Sequence, residues 1–597
     1  MILVLGGTTE GRIATRTLDQ AGKPFYYSTR GEEQEIESKN GIRLTGGLEA
    51  DELIDFVRSQ EIRLLVDAAH PFAINLHHNV EKAASACAIP VIRLERKYPT
   101  FNSSCILCED YQDAIERMET YGVRRLLALT GVQTIGKLAG FWKQYESFFR
   151  ILDRDSSFAL AEKYGFPTEK LLTYSSADAT ETLIRQYGAD AVITKESGDS
   201  GGFDEKQEAC LKLGIPLFVV KRPALPSIFF VVTGEFGLRR AVERFVPDFY
   251  PLRIGFTTGS CATVAAKSAL WALLGRGTVR EMPFFLPNGE CMTMQVDRVE
   301  KHPCYAVACV TKDAGDDPDV THGETIMATV SFCVEPGIHF LQGKGVGKVT
   351  LPGIGLSIGE PAINKVPRQM IQNELRALYS GGLNVTISVP RGEEIAVKTF
   401  NPKLGIKDGI SILGTLGIVR PFSLEAWTES IEREIEVAIA LGAERLVFNS
   451  GAKSERSVKE LYPDLPSQAF IHYGNFIGST LSAAEKKGVD KVILGIMLGK
   501  AVKLAAGHLD THSKKAILDK EFLKNVAIEA DCTEGAIAQI EGMVLAREFW
   551  TKFGDTDRKL FLTHLMKHCY KHCMTTFSGD LTLLLISEDG EVFNLLA

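Results

Sequence analysis

Long apolar runs are missing from this chain. No segment of the 597 residues reaches the roughly 18 consecutive apolar residues of a membrane-spanning helix. The opening MILVLGGTTEGR carries an apolar run of only five residues, with no basic stretch before it, so it does not read as a secretory signal. A basic stripe with interleaved aromatics is also absent, and the formal net charge of −8 has both signs interspersed, which argues against nucleic acid as a partner. Cysteine is sparse, at 12 residues, and is expected as reduced and mostly buried thiols. The CxxC pair Cys105 and Cys108 lacks a second ligand pair. His564, His568 and His572 share one face of a helix whose other face would pack Leu562, Leu565 and Met566, so no metal site is expected. No repeat of fixed period is visible. These absences leave a cytoplasmic globular protein without a membrane partner as the expectation.

What is present is ordinary globular composition, 45% hydrophobic and 24% charged. At about 100 to 200 residues per domain, this length calls for roughly three to five domains. Residues 1–246 alternate short apolar runs (MILVL, FYYST, LLVDAA, PVIRL, then RLLALTG, FRILD, KLLTYSS, AVITKESG, PLFVVKRP) with polar turns and helical spacing. This predicts an α/β class with two Rossmann-like lobes built on parallel sheets. Pro247 and Pro251 interrupt the alternation, and residues 247–251 are read as a linker. From 252 to about 405, alternating segments such as YAVACVTK and LNVTISVP predict an α+β domain. From 406 to 597, RLVFNSG, AFIHYGN and KVILGIM predict a further α/β domain.

In the N-terminal half, Gly6, Gly7, Thr8, Thr9 and Glu10 stand where a first strand turns into its helix, a place where backbone N–H groups and the helix dipole favour phosphate. The glycines, at 6, 7 and 11, do not follow GxGxxG. No acidic residue closes the second strand; Ser28, Thr29 and Arg30 stand there and suit a 2′-phosphate. In DAAHPFA (Asp67 to Ala73), His70 taken alone reads as a helix cap. Together with ALTGVQTI (128–135) and TKESGDSGGFDEKQEA (194–209) followed by VVKRP, these stretches resemble the precorrin-6A reductase family of corrin-ring reductases. The likeness covers about residues 1–245. It implies NADH or NADPH as cofactor, facing Gly6 to Glu10 and Ser28 to Arg30. It also implies a cleft between the lobes surrounded by His70, Lys195, Ser197, Gly198, Lys206 and Arg222, with His70 and Lys195 in catalytic roles. Arg30 leans toward NADPH and the anaerobic family toward NADH.

In the C-terminal half, KDAGDDPDVTHGE (312–324) crowds Asp313, Asp316, Asp317 and Asp319 into seven positions. A calcium loop fails on register, because Pro318 stands where glycine is required and Gly315 where an oxygen ligand is required. The bland reading is a solvated turn. Four stretches occur with it: GFTTGSCA (255–262), VTKDAGDDPDVTHG (310–323), GEPAIN with VPR (359–368) and FNPKLGIKDGISILGTLGIVRPFS (400–423). GNFIG (474–478) and LGKAVKLAAGHLDTHS (498–513) add to them. They resemble the cobalt-precorrin-5B C1-methyltransferase family, which uses S-adenosylmethionine, across about 252–597. Lys365 departs from the expected proline.

The resemblance implies that Asp313, Asp316 and Asp317 lie in the active site, with Lys312 beside them for a substrate carboxylate. Thr257, Thr258 and Ser260 read as helix cap or as anion-binding groups for corrinoid side arms. Gly414, Thr415, Gly417, Gly474, Asn475 and Gly478 are candidates for close backbone approach to S-adenosylmethionine, although glycine after a strand is also plain turn chemistry.

The two families catalyse consecutive steps, so the expectation is a bifunctional enzyme acting on a small-molecule corrinoid. An NAD(P)H oxidoreductase with a regulatory C-terminal half and a non-catalytic corrinoid carrier stay open as alternatives. A homo-oligomer is compatible with either.

Overall fold

The computed structural model describes residues 1–31, 37–98, 100–174, 179–509 and 519–594, the side chain of Ser200 apart. The chain divides into two units, Met1–Arg253 with Gly289–Met292, and the remainder from Ile254. Among the described residues no helix is long and apolar enough to cross a membrane.

Apolar runs of three to six residues, each ended by glycine or a polar turn, form twelve strands in the first unit. These are β1 (Ile2–Leu5), β2 (Phe25–Thr29), β3 (Gly41–Thr45), β4 (Leu64–Asp67), β5 (Val91–Glu95), β6 (Cys105–Cys108), β7 (Arg125–Ala128), β8 (Glu146–Ile151), β9 (Leu171–Thr173), β10 (Ala191–Lys195), β11 (Leu217–Val220) and β12 (Phe229–Thr233). They make two parallel six-stranded sheets, ordered β12-β5-β4-β1-β2-β3 and β6-β11-β10-β7-β8-β9. β1, β4, β5 and β11 are buried throughout, as strands covered by helices on both faces must be. The two Rossmann-like lobes expected from the sequence are therefore the architecture of this unit. Strand order reverses between β1 and β4 in the first lobe and between β7 and β10 in the second.

Three strands escaped the sequence reading, and all lie at sheet edges. β3 and β12 expose much of their length, so neither presents a buried apolar run. β12 follows the second lobe in sequence and pairs with β5 of the first. The helix after it, Gly234–Phe245, sends Leu238, Ala241 and Val242 into the first lobe's core. Phe249 and Tyr250, inside the stretch read as a linker, are buried in that same core, and the Tyr250 hydroxyl donates to the Thr17 carbonyl at 2.9 Å.

In the second unit, the helix Thr258–Leu273 is buried on nearly every side, as its small and apolar residues dictate. It packs against a five-stranded sheet ordered Arg298–Lys301, Tyr305–Thr311, Thr325–Cys333, Gly382–Ser388 and Ile338–Gln342. The first three pairings are antiparallel and the last is parallel. This is the α+β part. A second sheet follows, ordered Phe470–His472, Leu446–Asn449, Lys491–Met497, Asp580–Ile586 and Val592–Phe593, parallel except at its last pairing. The helix Asp555–Cys573 buries Leu562, Leu565 and Met566 in its core, while His568 meets Glu529 at 2.8 Å.

Candidate functional site

In the first unit the carboxyl ends of β1 and β4 build one crest. The Thr8 hydroxyl accepts from the Gly11 N–H at 3.1 Å, capping the helix Thr9–Asp19, and donates to the Ala68 carbonyl at 2.6 Å. A Cβ on Gly6 would fall 2.4 Å from the Tyr27 ring, and one on Gly11 would fall 3.0 Å from the Gly6 Cα. Both positions therefore require glycine for close strand-to-helix packing, and Gly11 plays the part of the third fingerprint glycine despite its displaced spacing. Gly7, at φ +95°, and Thr9 are exposed at the crest. Along β2, Ser28 and Thr29 are buried, the Thr29 hydroxyl donates to the Gly31 carbonyl at 2.7 Å, and Arg30 is exposed.

Glu10 is buried rather than facing a ligand. Its carboxylate pairs with Arg96 at 2.6 Å, and the same guanidinium donates to the Ser197 carbonyl at 2.8 Å. One side chain thus fastens the turn after β1 to the turn after β10. Arg96 Nε is buried without a hydrogen-bond partner. Gly198, at φ +70°, sits against Arg96, where a Cβ would come within 2.8 Å of the Lys97 carbonyl. His70 Nδ1 accepts from the Phe72 N–H at 3.1 Å, which leaves the ring proton on Nε2. Burial, then the charges of Arg96 and Lys195, hold its pKa at about 4. Burial, then Lys137, lowers Lys195 to about 8, and its ammonium stands 5.5 Å over the Phe72 ring. Lys206 is likewise lowered by burial to about 8, and it donates to the Gly201 carbonyl at 2.7 Å.

The structure therefore brings His70, Ser197 and Gly198 around Arg96, with Lys195 near His70 and Lys206 near Lys195. Arg222 stacks 3.6 Å over the Tyr98 ring and its N–H donates at 3.0 Å to Glu196, the residue between Lys195 and Ser197. Beneath the crest runs a buried polar chain that the sequence reading missed. Asp67 accepts from Arg93 at 3.0 Å and bonds His77 at 2.6 Å, and Arg93 reaches Glu95 at 2.8 Å. The signal was VIRLER, where charges alternate inside an apolar strand.

In the second unit three loops converge. The Phe256 N–H donates to the Asp313 carbonyl at 2.7 Å, the Thr257 N–H to Gly417 at 3.1 Å and the Gly259 N–H to Leu413 at 2.8 Å. Asp313 Oδ1 accepts from the Gly315 N–H at 2.9 Å in a tight turn with Gly315 at φ +66°. Asp316 is exposed, and Asp317 accepts from the Phe422 N–H at 3.0 Å. Asp319, not among the expected active-site acids, pairs with Lys312 at 2.6 Å. Burial would push the Asp319 carboxyl up, but Lys312 and Thr321 hold it below its ordinary range.

Several expected roles meet a different geometry. Lys312 is 1% exposed and committed to Asp319, not presented to a substrate carboxylate. Thr257 caps the helix Thr258–Leu273 by accepting from the Ser260 N–H, and Ser260, fully buried, donates to the Gly417 carbonyl at 2.6 Å. Thr258 exchanges hydrogen bonds with Leu413. These hydroxyls tie loops together, their O–H groups donating to Ser260 Oγ, the Leu413 carbonyl and the Gly417 carbonyl rather than to a ligand anion. The glycines answer to their own neighbours: a Cβ would strike Thr257 from Gly414, Ser260 and Leu286 from Gly417, and Leu509 from Gly478. Thr415 is exposed and donates to Glu429 at 3.3 Å. Gly474, at φ +58°, lies against Trp427, and Asn475 is half-buried beside it. Asp510 to Ser513 of the last motif lie outside the described residues.

The start of one helix collects these loops. Phe422, held by Asp317, precedes the helix Leu424–Ala440, which is capped by Ser423. Trp427, on its first turn, reaches Gly474, and Glu429 reaches Thr415.

Paired Rossmann-like lobes in one unit, and a loop crest over α+β and α/β sheets in the other, define a two-module enzyme. Residues 1–237 match the family model described as Precorrin-6x reductase CbiJ/CobK. Residues 247–421 match CbiD, and 510–594 match CbiD, C-terminal domain. Proteins named Cobalt-precorrin-5B C(1)-methyltransferase from Geobacillus sp. (strain WCH70) and Prosthecochloris aestuarii (strain DSM 271 / SK 413) are 42% and 41% identical to this chain. They cover 56% and 57% of it and 92% and 95% of their own lengths. Among solved structures, CobK precorrin-6A reductase aligns at 21% identity with a TM-score of 0.35, covering 41% of this chain and 97% of its own. The chain belongs to the cobalt-precorrin-5B C(1)-methyltransferase family, with a region of the precorrin-6x reductase family fused ahead of it. It is a bifunctional cobalamin-biosynthesis enzyme, methyltransferase and reductase in one polypeptide.

Proposed function

We propose that the C-terminal half methylates C1 of cobalt-precorrin-5B with S-adenosylmethionine, and that the N-terminal half reduces the product, cobalt-precorrin-6A, to cobalt-precorrin-6B with NADH or NADPH. The single observation that carries this reading is the coexistence of both family regions in one chain. The cobalt belongs to the substrate.

The geometry supports a division of labour. The backbone N–H of Thr9, on a helix start packed closely by Gly6 and Gly11, suits a dinucleotide phosphate, while the Gly7 N–H is held by the Tyr27 hydroxyl at 3.1 Å. Lys195 and Lys206, with His70 neutral beside them, suit a substrate rich in carboxylates. When bound, the dihydronicotinamide supplies hydride. The chain's part is to orient the macrocycle and to present the His70 Nε2–H and the Lys195 ammonium as donors. In the second unit, Leu416 and Phe422 are exposed on the loops that meet the acidic one, and Asp317 holds the Phe422 N–H. S-adenosylmethionine supplies an electrophilic methyl group, and the acidic loop positions the acceptor and steadies charge as it shifts.

Incubation of the whole protein with cobalt-precorrin-5B, omitting S-adenosylmethionine or reduced nicotinamide in turn, tests the scheme. Omission of the first leaves substrate unchanged, and omission of the second accumulates the methylated, unreduced product. Reduction that proceeds without methyl transfer counts against it.

A further inference from the structure

The parallel sheet of the second unit has a topological switch of its own. Leu446–Asn449 lies between Phe470–His472 and Lys491–Met497, so the chain leaves the sheet on one side after Asn449 and on the other after Met497. Open α/β sheets take ligands at the carboxyl ends of their strands at such a place. Three groups there keep unused bonding capacity. Asn449 is fully buried, and its Nδ2 donates to the Val447 carbonyl at 3.4 Å, but its Oδ1 has no donor. A Cβ on Gly495 would stand 3.1 Å from that oxygen and equally close to Val458, so glycine is what lets the amide pack there. The indole Nε1 of Trp427 is buried without an acceptor, beside Gly474. Lys500, on the first turn of the helix Leu498–Ala505, donates to the Gly474 carbonyl and lies 5.2 Å over the Tyr473 ring. One carbonyl leaves its ammonium two further N–H donors. Tyr473 joins the set, its N–H donating to the Asn449 carbonyl at 2.9 Å and its hydroxyl to Gly495 at 3.1 Å.

We propose that this switch point seats S-adenosylmethionine, with Lys500 taking its carboxylate and Trp427 and Asn449 its nucleoside half. The inference rests on the methyltransferase reading above and adds the place and the residues. The donor set selects the ligand class: a cation for one carboxylate, an unpaired acceptor for an N–H or O–H donor, and an aromatic ring with a spare N–H for a base bearing acceptors. A polycarboxylate macrocycle fits poorly, because the Asn449 oxygen repels an anion and a single ammonium answers few of its arms. The seat also lies close along the chain to the acidic loop, because Trp427 follows by five positions the Phe422 that Asp317 holds.

Calorimetric binding of S-adenosylhomocysteine, the unreactive demethylated form, to the full-length protein reads the seat without turnover. Lys500→Gln is expected to weaken binding about tenfold or more, as loss of a charge-assisted hydrogen bond does, and Lys500→Arg to restore part of it. Trp427→Phe is expected to cost about threefold and to abolish the ligand-induced change in tryptophan fluorescence. Circular-dichroism melts of all three variants separate lost contacts from lost fold. Saturable binding to the wild type with unchanged affinity in both Lys500→Gln and Trp427→Phe overturns the location and leaves the methyltransferase reading standing. No binding to the wild type overturns the S-adenosylmethionine reading itself.

Discussion

Arg96 and Glu10 form an ion pair at 2.6 Å with both side chains almost fully buried, and the second arm of the same guanidinium holds the Ser197 carbonyl. One side chain therefore joins the crests of the two reductase lobes, beside the Asp199 N–H that donates to the Lys97 carbonyl at 3.0 Å. Removing one partner of a buried pair strands the other charge, at about 3–5 kcal/mol. Arg96→Ala is expected to lower the melting temperature and abolish reduction of the corrinoid. Arg96→Lys keeps the charge but not the two-armed fork, and is expected to recover stability only in part. Calorimetric melts with a reduction assay check this; an Arg96→Ala protein that melts with the wild type removes the clamp.

Beneath that crest, burial pushes Asp67 up, while the His77 hydrogen bond and the Arg93 charge outweigh it and leave the carboxyl below its ordinary value. A depressed carboxyl contributes stability above its unfolded pKa of about 4, and that stability is lost as pH falls through the folded value. Asp67→Asn is expected to be strongly destabilised at pH 7, with the gap to wild type narrowing in acid below about pH 4. Urea denaturation at pH 7 and pH 3 measures it. A gap that stays constant would mean that Asp67 acts through shape alone.

Lys195 and Lys206 both sit at about 8, and His70 at about 4. Their sign is the same: each lysine is charged below about 8 and loses its charge above it, while His70 stays neutral across that window. If the ammonium groups hold substrate carboxylates, KM for the corrinoid rises as pH passes 8 with kcat less affected. Lys195→Arg with Lys206→Arg, charged throughout, is expected to flatten that rise. A wild-type KM that is level from pH 7 to 9 would contradict the assignment.

The two Rossmann-like lobes were legible because a strand buried on both faces must be an unbroken apolar run, as MILVL and LLVDAA are. β3 and β12 were not, because an edge strand need bury only part of itself, and β12 joins its sheet from beyond the second lobe. In the site, His70 and Lys195 entered only through the family likeness of their motifs, and Arg96 acts through partners about a hundred positions away in either direction, which no local pattern encodes. Lys312 stood in the right motif but turns inward, and its pairing with Asp319 follows from burial that the run of acids conceals.

Arg30 is exposed at the end of β2, where no acid stands to hold a ribose hydroxyl, and β3 lays Arg43 in register with Tyr27 beside it. A guanidinium there favours the 2′-phosphate of NADPH by a charge-assisted hydrogen bond, about 1.5–3 kcal/mol. Arg30→Ala is expected to lower kcat/KM with NADPH about tenfold or more and to leave NADH unaffected. Equal losses with both cofactors would show that Arg30 supports the fold and reads no phosphate.

The acidic loop separates into acids that hold it and acids that it presents. Asp319 neutralises the buried Lys312, so Asp319→Asn strands an ammonium and is expected to destabilise by about 3–5 kcal/mol. Asp316 is exposed on the same loop, and Asp316→Asn is expected to change stability by less than about 0.5 kcal/mol. If Asp316 serves methyl transfer, its variant melts with the wild type yet methylates cobalt-precorrin-5B at least tenfold more slowly, a barrier increase of about 1.4 kcal/mol. Thermal melts paired with single-turnover methylation separate the two acids. Full methylation by Asp316→Asn would leave Asp313 and Asp317 as the remaining candidates, and loss of stability without loss of rate in Asp319→Asn would confine Lys312 and its partner to holding the loop.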